Sequence, residues 1–496
     1  MNSSPSFFTQ AENFSMVSSG VDPRTGMYIV NINLGTVLGN NGQGPSFPFV
    51  LSYSPLTGLS LNNGPADAPF GAGVGMKVTT YDTSNSPCRL TLSTGEQYLV
   101  DEFGDTVFIR QKKLDTIHIE KSSDQYKLTY KSGTVEILNI PPDGSCIMTS
   151  TQISNASGHS LILNWDTLPE VPQLTSIQDD NKNTLLFIDY SDPSAPSVHF
   201  LPDNQQEGYR VVLQLQNGQL STVTNYALGD NNPLTWSLLS PEPVGDGSWG
   251  QWIVGMTTPG GLTETAHYYK DGRGAEFPDS ANLPVLPQVY QLTRDPGGDP
   301  KVSPAMTTQF SYTDYDFLGA GSGVDWSSTQ DNLYAITGDY SYGSTATLTD
   351  GSATITTTRT YNKYHLLTDV VVSQNGSIYA THTDYWLDPN AEFDSQPPQF
   401  QLPKAVTSTW QSTQPPSQRQ EVLQTVYDQK GNLTQRSDPD GTVTVCHYYP
   451  ADGSEQGCPN DPTGFVRFLK SVTITPPTTQ YPDALPQIIT YEYTAY

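Results

Sequence analysis

Two stretches that lie far apart in this chain have nearly the same sequence: Pro259–Tyr269 reads PGGLTETAHYY, and Pro439–Tyr449 reads PDGTVTVCHYY. They align without a gap. Each has a glycine two residues after the proline, then an alternating run, then His-Tyr-Tyr. A weaker third copy, GSIYATHTDYW, starts at Gly376. Repetition at this level indicates that the chain is built by stacking one supersecondary unit.

The repeated unit is predicted to be a turn followed by a strand. In Asp438–Gly441 (DPDG) the proline fixes φ at about −65° and the glycine suits a positive φ. The run Thr442–Val445 is rich in β-branched residues, which favour strands. Upstream, Tyr427–Thr434 reads YDQKGNLT, and its Gly-Asn pair signals a hairpin turn. The full unit is therefore a hairpin, the DPDG turn, a second strand and a tyrosine pair.

This spaced pattern resembles the YD repeat of the Rhs (rearrangement hotspot) family, and the match is close over Tyr427–Tyr449. A degenerate copy begins at Tyr361, with Asn362 in place of the aspartate, and half units begin at Gly218 and Pro259. The N-terminal part also resembles the opening of an Rhs protein. The segments that carry this likeness are Val21–Gly26 (VDPRTG), Leu51–Ser54 (LSYS), Phe70–Gly75 (FGAGVG) and Leu90–Glu96 (LTLSTGE).

Composition agrees with an all-β fold. The chain has 41 glycines, 39 prolines and 28 tyrosines among 496 residues, and no long run has apolar residues at helical spacing. Short alternating stretches such as Tyr126–Tyr130 and Arg210–Leu215 recur instead. We predict an array of antiparallel β-hairpins that forms a curved, partial Rhs cocoon wall. Its regions are an N-terminal opening segment (1–75), a β-meander region (76–165) and a YD/Rhs repeat array (166–496), cut in mid-array.

Charge and targeting signals limit the partners. The formal net charge is −27, from 50 acidic and 23 basic residues, and such a surface repels nucleic acid and anionic lipid. Solubility is the favoured explanation of this charge. The first 19 residues lack the basic start and apolar stretch of a signal peptide, and no window is apolar enough to span a membrane. The protein is therefore expected to be made in the cytoplasm, and the family resemblance implies that it is then secreted or injected.

The four cysteines are scattered, without a CxxC pair or a zinc-site spacing. Cys446 and Cys458 are close enough in sequence for a disulfide across the turn, but free buried thiols are the favoured interpretation for a protein made in the cytoplasm.

Signals for catalysis are weak. A phosphate-binding GxxxxGK[ST] loop and a GxSxG nucleophile elbow are both missing from the sequence. Three histidines (His267, His382 and His447) recur at one position of the repeat, so a structural role explains them most simply. No catalytic residue, cofactor-binding residue or metal ligand is predicted, and no cofactor.

One pair of carboxylates leaves an enzymatic alternative open. Asp438-Pro439-Asp440-Gly441 and Asp461-Pro462-Thr463-Gly464 are two DPxG motifs. Rhs proteins of the toxin type carry two such elements, followed by leucine, whose aspartates are implicated in self-cleavage that releases the toxin. Two adjacent carboxylates can share a proton and act as acid and base. Here Thr442 and Phe465 replace the leucines, and each aspartate also reads as an ordinary turn residue.

The resemblance implies a non-enzymatic shell segment of an Rhs/YD-repeat toxin that encapsulates a C-terminal toxic polypeptide. The implied partners are the C-terminal remainder of the shell, the enclosed toxin, and a secretion or Tc-toxin component. The alternative is a carbohydrate-binding or adhesive surface protein, and a weaker one is a glycoside hydrolase with two facing carboxylates. The aromatic residues available for sugar stacking are Trp236, Trp249, Trp252, Trp326, Trp386 and Trp410, for which core packing is the favoured explanation.

Overall fold

The computed structural model describes residues 17–56, 69–141, 145–166, 171–299, 301–350, 353–413, 415–477 and 483–494. Regular structure within these residues is almost entirely β, with 35 strands. The helical pieces among them are four short 3-10 turns, Asn40–Gly42, Asp279–Ala281, Asn332–Ala335 and Phe393–Ser395. The prediction of an all-β fold built from antiparallel hairpins is confirmed.

The first four strands form a separate antiparallel sheet, which we call the N-terminal sheet. It consists of β1 (Val17–Val21), β2 (Tyr28–Leu38), β3 (Ser46–Tyr53) and β4 (Val74–Met76), paired in chain order. The VDPRTG segment is the turn between β1 and β2, where the Gly26 N–H donates to the Asp22 carbonyl (2.8 Å) and Gly26 has a φ of +75°. Alternate residues of β3, from Phe47 to Tyr53, are buried, which is the pattern of a strand with one face in the core.

The next eight strands curl around a small core of their own, and we call them the curled unit. They are β5 (Thr80–Asp82), β6 (Cys88–Thr91), β7 (Gln97–Phe103), β8 (Thr106–Ile109), β9 (Ile117–Lys121), β10 (Gln125–Tyr130), β11 (Val135–Asn139) and β12 (Ile147–Ser154). Their core includes Tyr81, Leu90 and Val100. The start of β12 pairs with β5, whereas its end pairs with β11 and with the following strand, so β12 joins this unit to the rest of the chain.

The remaining strands form one long sheet in which each strand pairs antiparallel with the next along the chain. A small separate hairpin, β22–β23, interrupts this order, so that β21 pairs directly with β24. The strands are β13 (Ser160–Asp166), β14 (Gln173–Asp179), β15 (Thr184–Asp189), β16 (Ser197–Phe200), β17 (Tyr209–Gln216), β18 (Gln219–Asn225), β19 (Leu234–Leu239), β20 (Gly255–Thr257), β21 (Thr263–Tyr268), β22 (Gly274–Ala275), β23 (Leu286–Pro287), β24 (Val289–Asp295), β25 (Met306–Tyr312), β26 (Ser341–Asp350), β27 (Ala353–Asn362), β28 (Leu367–Gln374), β29 (Ser377–Tyr385), β30 (Pro403–Thr413), β31 (Pro416–Tyr427), β32 (Leu433–Ser437), β33 (Val443–Tyr448), β34 (Leu469–Thr475) and β35 (Gln487–Thr490).

A five-residue turn recurs along the chain at 92–96, 130–134, 155–159, 179–183, 258–262, 362–366, 428–432 and 438–442. In each, the N–H of the first residue donates to the carbonyl of the fifth, and the N–H of the fourth donates to the carbonyl of the first. The fourth residue has a positive φ, between 57° and 97°. This is a type I turn followed by a left-handed residue, a common three-residue hairpin loop. The glycine of the DPDG motif therefore occupies the position that the sequence predicts.

The second residue of the YD dipeptide is the first residue of the same turn, and its side chain accepts hydrogen bonds from the turn backbone. In the close repeat, the Asp428 carboxylate accepts from the N–H groups of Lys430 and Asn432, both at 2.8 Å. In the degenerate repeat, the Asn362 amide oxygen accepts from Tyr364 (2.9 Å) and Leu366 (3.1 Å). The turn thus requires an oxygen acceptor and not a charge, which explains why asparagine replaces aspartate there.

The long sheet has an inner face, defined as the side that packs on the N-terminal sheet. Backbone groups of the N-terminal segment bond to side chains of that face: the Tyr209 hydroxyl donates to the Leu34 carbonyl (3.0 Å), and the Ser344 hydroxyl donates to the Pro23 carbonyl (2.7 Å). The largest core cluster fills the space between. From β28 to β35, however, no strand residue is fully buried. Most of them are half-buried, so the far half of the sheet is a single layer in which neither face is fully covered.

A buried polar cluster fixes the N-terminal sheet to the inner face. Glu264, only 4% exposed as a side chain, pairs with the Arg294 guanidinium at 2.6 Å. Its carboxylate also accepts hydrogen bonds from the hydroxyls of Ser19 and Tyr28. The Tyr268 hydroxyl, on the same strand as Glu264, accepts from the Tyr28 N–H (2.9 Å). Because buried polar groups are costly when unpaired, this cluster sets where the N-terminal sheet docks.

The recurring turn predicts different costs for two adjacent glycines. Gly261 has a φ of +87° and open space where an alanine Cβ would lie. Gly260 lacks a positive φ, and a Cβ there would meet only the Thr258 Oγ1 at 3.9 Å, an ordinary van der Waals contact. We expect Gly261→Ala to destabilise the fold by about 1–2 kcal/mol, the cost of a left-handed alanine. Gly260→Ala is the matched control, and its free energy of unfolding in urea should be nearly unchanged. Equal effects of the two substitutions would contradict the turn assignment.

Burial predicts different costs for two glutamates in ion pairs. Glu264→Gln should lower the free energy of unfolding by about 1–3 kcal/mol, because Arg294 and Tyr28 lose a charged acceptor in the core. Glu242 pairs with Lys270 (2.7 Å) at the surface, so Glu242→Gln should change stability by less than about 0.5 kcal/mol. Denaturant unfolding of both variants measures the difference, and a larger loss for Glu242→Gln would refute this account of the docking.

Candidate functional site

The two aspartates of the self-cleavage alternative have separate structural partners. Asp438 is the first residue of the turn 438–442, and its carboxylate pairs with Arg436 at 2.7 Å. Asp461 is fully buried as a side chain; it accepts from the Thr463 N–H (2.8 Å) and pairs with Arg467. No hydrogen bond joins the two carboxylates. Burial alone would raise the pKa of Asp461, but the bonds from Thr463 and Arg467 outweigh it and hold this pKa below its ordinary value. Asp461 is thus ionised in the folded protein and forms, with Arg467, what we call the Asp461–Arg467 clamp.

The second DPxG motif anchors the curled unit to the long sheet, a role that sequence reasoning missed. The Phe465 ring stacks on the His118 ring of β9 with centroids 4.1 Å apart. Arg467, held by Asp461, also donates to the Lys131 carbonyl (3.3 Å). Lys131 in turn donates to the Asn432 side chain at 2.6 Å. Since the partners are some 300 residues apart in sequence, no local pattern pointed to them.

The three repeat histidines all lie on the outer face of the long sheet, opposite the N-terminal sheet, but their neighbours differ. His382 bonds to Asp369 (2.7 Å), and this hydrogen bond raises its pKa. The ring of His267 lies 6.2 Å from that of Tyr290, and His447 is exposed. A shared position in the repeat therefore does not give a shared contact.

A cleft of about 620 Å³ opens beside His267 on the outer face. His267, Tyr269 and Tyr290 form an aromatic row in it, with the two tyrosine centroids 5.3 Å apart. The Arg273 guanidinium lies 4.0 Å from the Tyr269 centroid, and Lys270 pairs with Glu242 across the rim. The rings and charges of this cleft thus already contact one another.

Most of the tryptophans considered for sugar stacking serve the fold. Trp252 is 5% exposed, and the indole N–H groups of Trp249 and Trp386 donate to backbone carbonyls. Trp236 and Trp326 pack against the main core. Trp410 differs, because it is 39% exposed on the inner face and lies beside Tyr379, also 39% exposed, with ring centroids 5.4 Å apart.

The last described strand has a hydrogen-bonded partner on one side only. β35 pairs with β34, and all four of its residues are exposed. The flanking Leu485 is 86% exposed and Ile488 within the strand is 66% exposed. The N–H of Tyr491 donates to the Lys470 carbonyl (3.0 Å), so by alternation along the strand the N–H of Thr490 points away from β34.

All four cysteines fall in the described residues and are free thiols, as favoured from the sequence, but only Cys458 is buried and the other three are half-buried. In that same part of the chain, no group of three or more His, Cys, Asp or Glu side chains is placed to hold a metal ion. Nor does any described helix have the length and apolarity to cross a membrane.

No protein-family model matches the sequence, and no curated protein sequence matches it. Among solved structures, one titled TcdB2-TccC3 without hypervariable C-terminal region is 9% identical, with a TM-score of 0.34 over 96% of this chain and 35% of that one. TcdB2-TccC3-TEV is 11% identical, with a TM-score of 0.33 over 94% and 25%. The Photorhabdus luminescens Tc holotoxin pore with mutation TccC3-D651A is 11% identical, with a TM-score of 0.25 over 94% and 26%. The chain thus spans about a third or less of these proteins, and TM-scores of this size do not establish a common arrangement.

The contribution of Asp461 to the free energy of unfolding should increase as the pH rises. Because the folded pKa of Asp461 lies below 3.8, its contribution is fully present above that pH and is lost as the pH falls through the folded pKa. At pH 7, Asp461→Asn should lower the free energy of unfolding by about 1–3 kcal/mol, whereas Asp438→Asn, at a more exposed carboxylate, should cost less than about 0.5 kcal/mol. Unfolding curves at pH 7 and pH 3 measure both. Equal losses for Asp461→Asn at the two pH values would contradict this role.

Proposed function

We propose that this chain is a non-enzymatic structural segment of an Rhs-type shell, whose wall encloses a C-terminal toxic polypeptide. The observation that carries the proposal is the long single-layer sheet from β28 to β35, in which no strand residue is fully buried. A sheet normally covers at least one face, so this half of the wall is suited to face an enclosed space. The repeat resemblance of Tyr427–Tyr449 supports the same function.

The proposed partners follow from the edge and the open face. The remainder of the shell adds its first strand to β35, where backbone groups such as the Thr490 N–H are free to pair. The enclosed polypeptide lies against the inner face, and attachment to a secretion or Tc-toxin component completes the assembly. The protein is then secreted or injected.

Non-enzymatic action also accounts for the two DPxG motifs, since the Asp438 carboxylate pairs with Arg436 at a turn and Asp461 holds Arg467. We expect the purified chain to keep its mass on prolonged incubation, as measured by intact mass spectrometry. A fragment that ends near Asp461, and that Asp438→Asn or Asp461→Asn abolishes, would move the function to self-cleavage.

The test of the shell is co-expression of the full chain with the product of the downstream reading frame, followed by purification and cryo-EM. We expect a complex that is a hollow closed body. Thr490→Pro removes the outward N–H of β35 without touching its bonds to β34, so it should abolish the complex. Thr490→Val keeps the N–H and is the matched control, which should still form the complex.

Loss of the complex in both variants would place the contact on the Thr490 side chain, and retention in both would place it elsewhere. Either result contradicts docking by backbone pairing at this edge. Glycan-array binding by the chain alone, lost in Trp410→Ala, would favour the carbohydrate-binding alternative instead.

A further inference from the structure

Charges on the strands from β27 to β32 are sorted by face. The strand register puts Arg359, Arg419, Arg436 and Glu421 on the inner face. The same register puts Asp369, His382 and Asp384 on the outer face. The remaining charged residue of β27–β32, Lys404, lies next to a bulge and over the Trp386 ring. These strands place three arginines and one glutamate on the inner face, and Asp438 of the following turn pairs with Arg436. The face is thus opposite in sign to the molecule as a whole, which has 50 acidic and 23 basic residues.

One of these arginines, Arg419, lies against the exposed aromatic pair. Tyr379 and Trp410 are directly opposite each other on β29 and β30, and Arg419 is opposite Trp410 on β31. The Arg419 guanidinium lies 5.5 Å from the Trp410 centroid and also pairs with Glu421. Arg359, four strands away from Arg419 on β27, is half-buried and interacts electrostatically with Tyr361, and no carboxylate of a described residue forms an ion pair with it. An arginine that has no carboxylate partner among the described residues, on the same face as open aromatic rings, is suited to receive a carboxylate.

The spacing favours an extended chain as the occupant. Neighbouring strands lie about 4.8 Å apart, so β27 and β31 are separated by roughly 19 Å. An extended polypeptide rises about 3.3 Å per residue, so about six residues connect Arg359 to Arg419. Such a segment crosses the rings of Tyr379 and Trp410 on its way, and these can pack against its apolar or aromatic side chains.

We propose that the inner face over β27–β32 docks an acidic, extended polypeptide segment, whose carboxylates pair with Arg359 and Arg419 and whose apolar residue lies on Tyr379 and Trp410. This inference rests on the proposed function, because it names the charge class of the enclosed polypeptide where it meets this part of the wall. The occupant is complementary to the face in charge and repelled by the outer face.

The test uses the full chain and two fluorescein-labelled, unstructured 20-residue peptides that differ only in carrying glutamate or lysine at the same positions between tyrosines and serines. Fluorescence anisotropy at low salt should show binding of the acidic peptide, at least tenfold tighter than that of the basic one. Added salt should weaken it, since screening acts on exposed charges. Arg359→Glu should weaken it at least tenfold, and Trp410→Ala should weaken it without changing the salt dependence.

Controls separate charge from folding. Arg359→Gln removes the same cation with a smaller perturbation and should give an intermediate loss, and circular dichroism checks the fold of each variant. Asp369→Asn changes the charge of the outer face and should leave acidic-peptide binding unchanged.

Three results would overturn the inference: equal or tighter binding of the basic peptide, an unchanged affinity in Arg359→Glu, or preferential binding of a short single-stranded oligonucleotide. The Thr490→Pro experiment is independent of this face. A shell that still assembles through β35 without binding acidic peptide would refute only the docking inference.

Discussion

The constraint on which the fold depends is the left-handed residue at the fourth position of the five-residue turn. It reverses the chain tightly and fixes the register of the strands on either side. Six of the eight recurring turns have glycine there, and the others have Lys182 and His365. His365 adopts this less favourable left-handed conformation because its fully buried side chain is held by tertiary contacts. It forms a hydrogen bond with the Tyr342 hydroxyl (2.7 Å) and pairs with Asp331. A tertiary contact thus replaces the local preference for glycine.

Register then decides which side chains meet. Because side chains alternate between the faces of a strand, each turn assigns one set to the inner face and the other to the outer. In the first half of the long sheet the inner set is apolar and buries against the N-terminal sheet, with Glu264 and its hydroxyl partners as the polar exception. In the second half the same face holds arginines and aromatic rings with no cover, so one ribbon supplies both a core and an open surface.

The curled unit contacts strands that are far from it in sequence, in addition to the pairing of neighbouring strands. It has its own core, yet the Asp461–Arg467 clamp, the Phe465–His118 stack and the Lys131–Asn432 bond hold it to strands near the other end of the chain. A motif that suggests chemistry when read alone acts here as a structural joint. Buried charge and perturbed pKa values therefore report function only when the partners of the group are known.

The sequence by itself determined the all-β fold, the hairpin unit and the turn at Asp438–Thr442, because these depend on φ preferences and alternation over fewer than about twelve residues. Only the tertiary structure decided that Glu264 is buried, that Asp461 and Asp438 have separate partners, and that Trp410 alone of the tryptophans considered for sugar stacking is exposed. These features depend on which distant strands share a face. That is decided by the pairing registers of many successive hairpins together, and no short stretch of sequence contains this information.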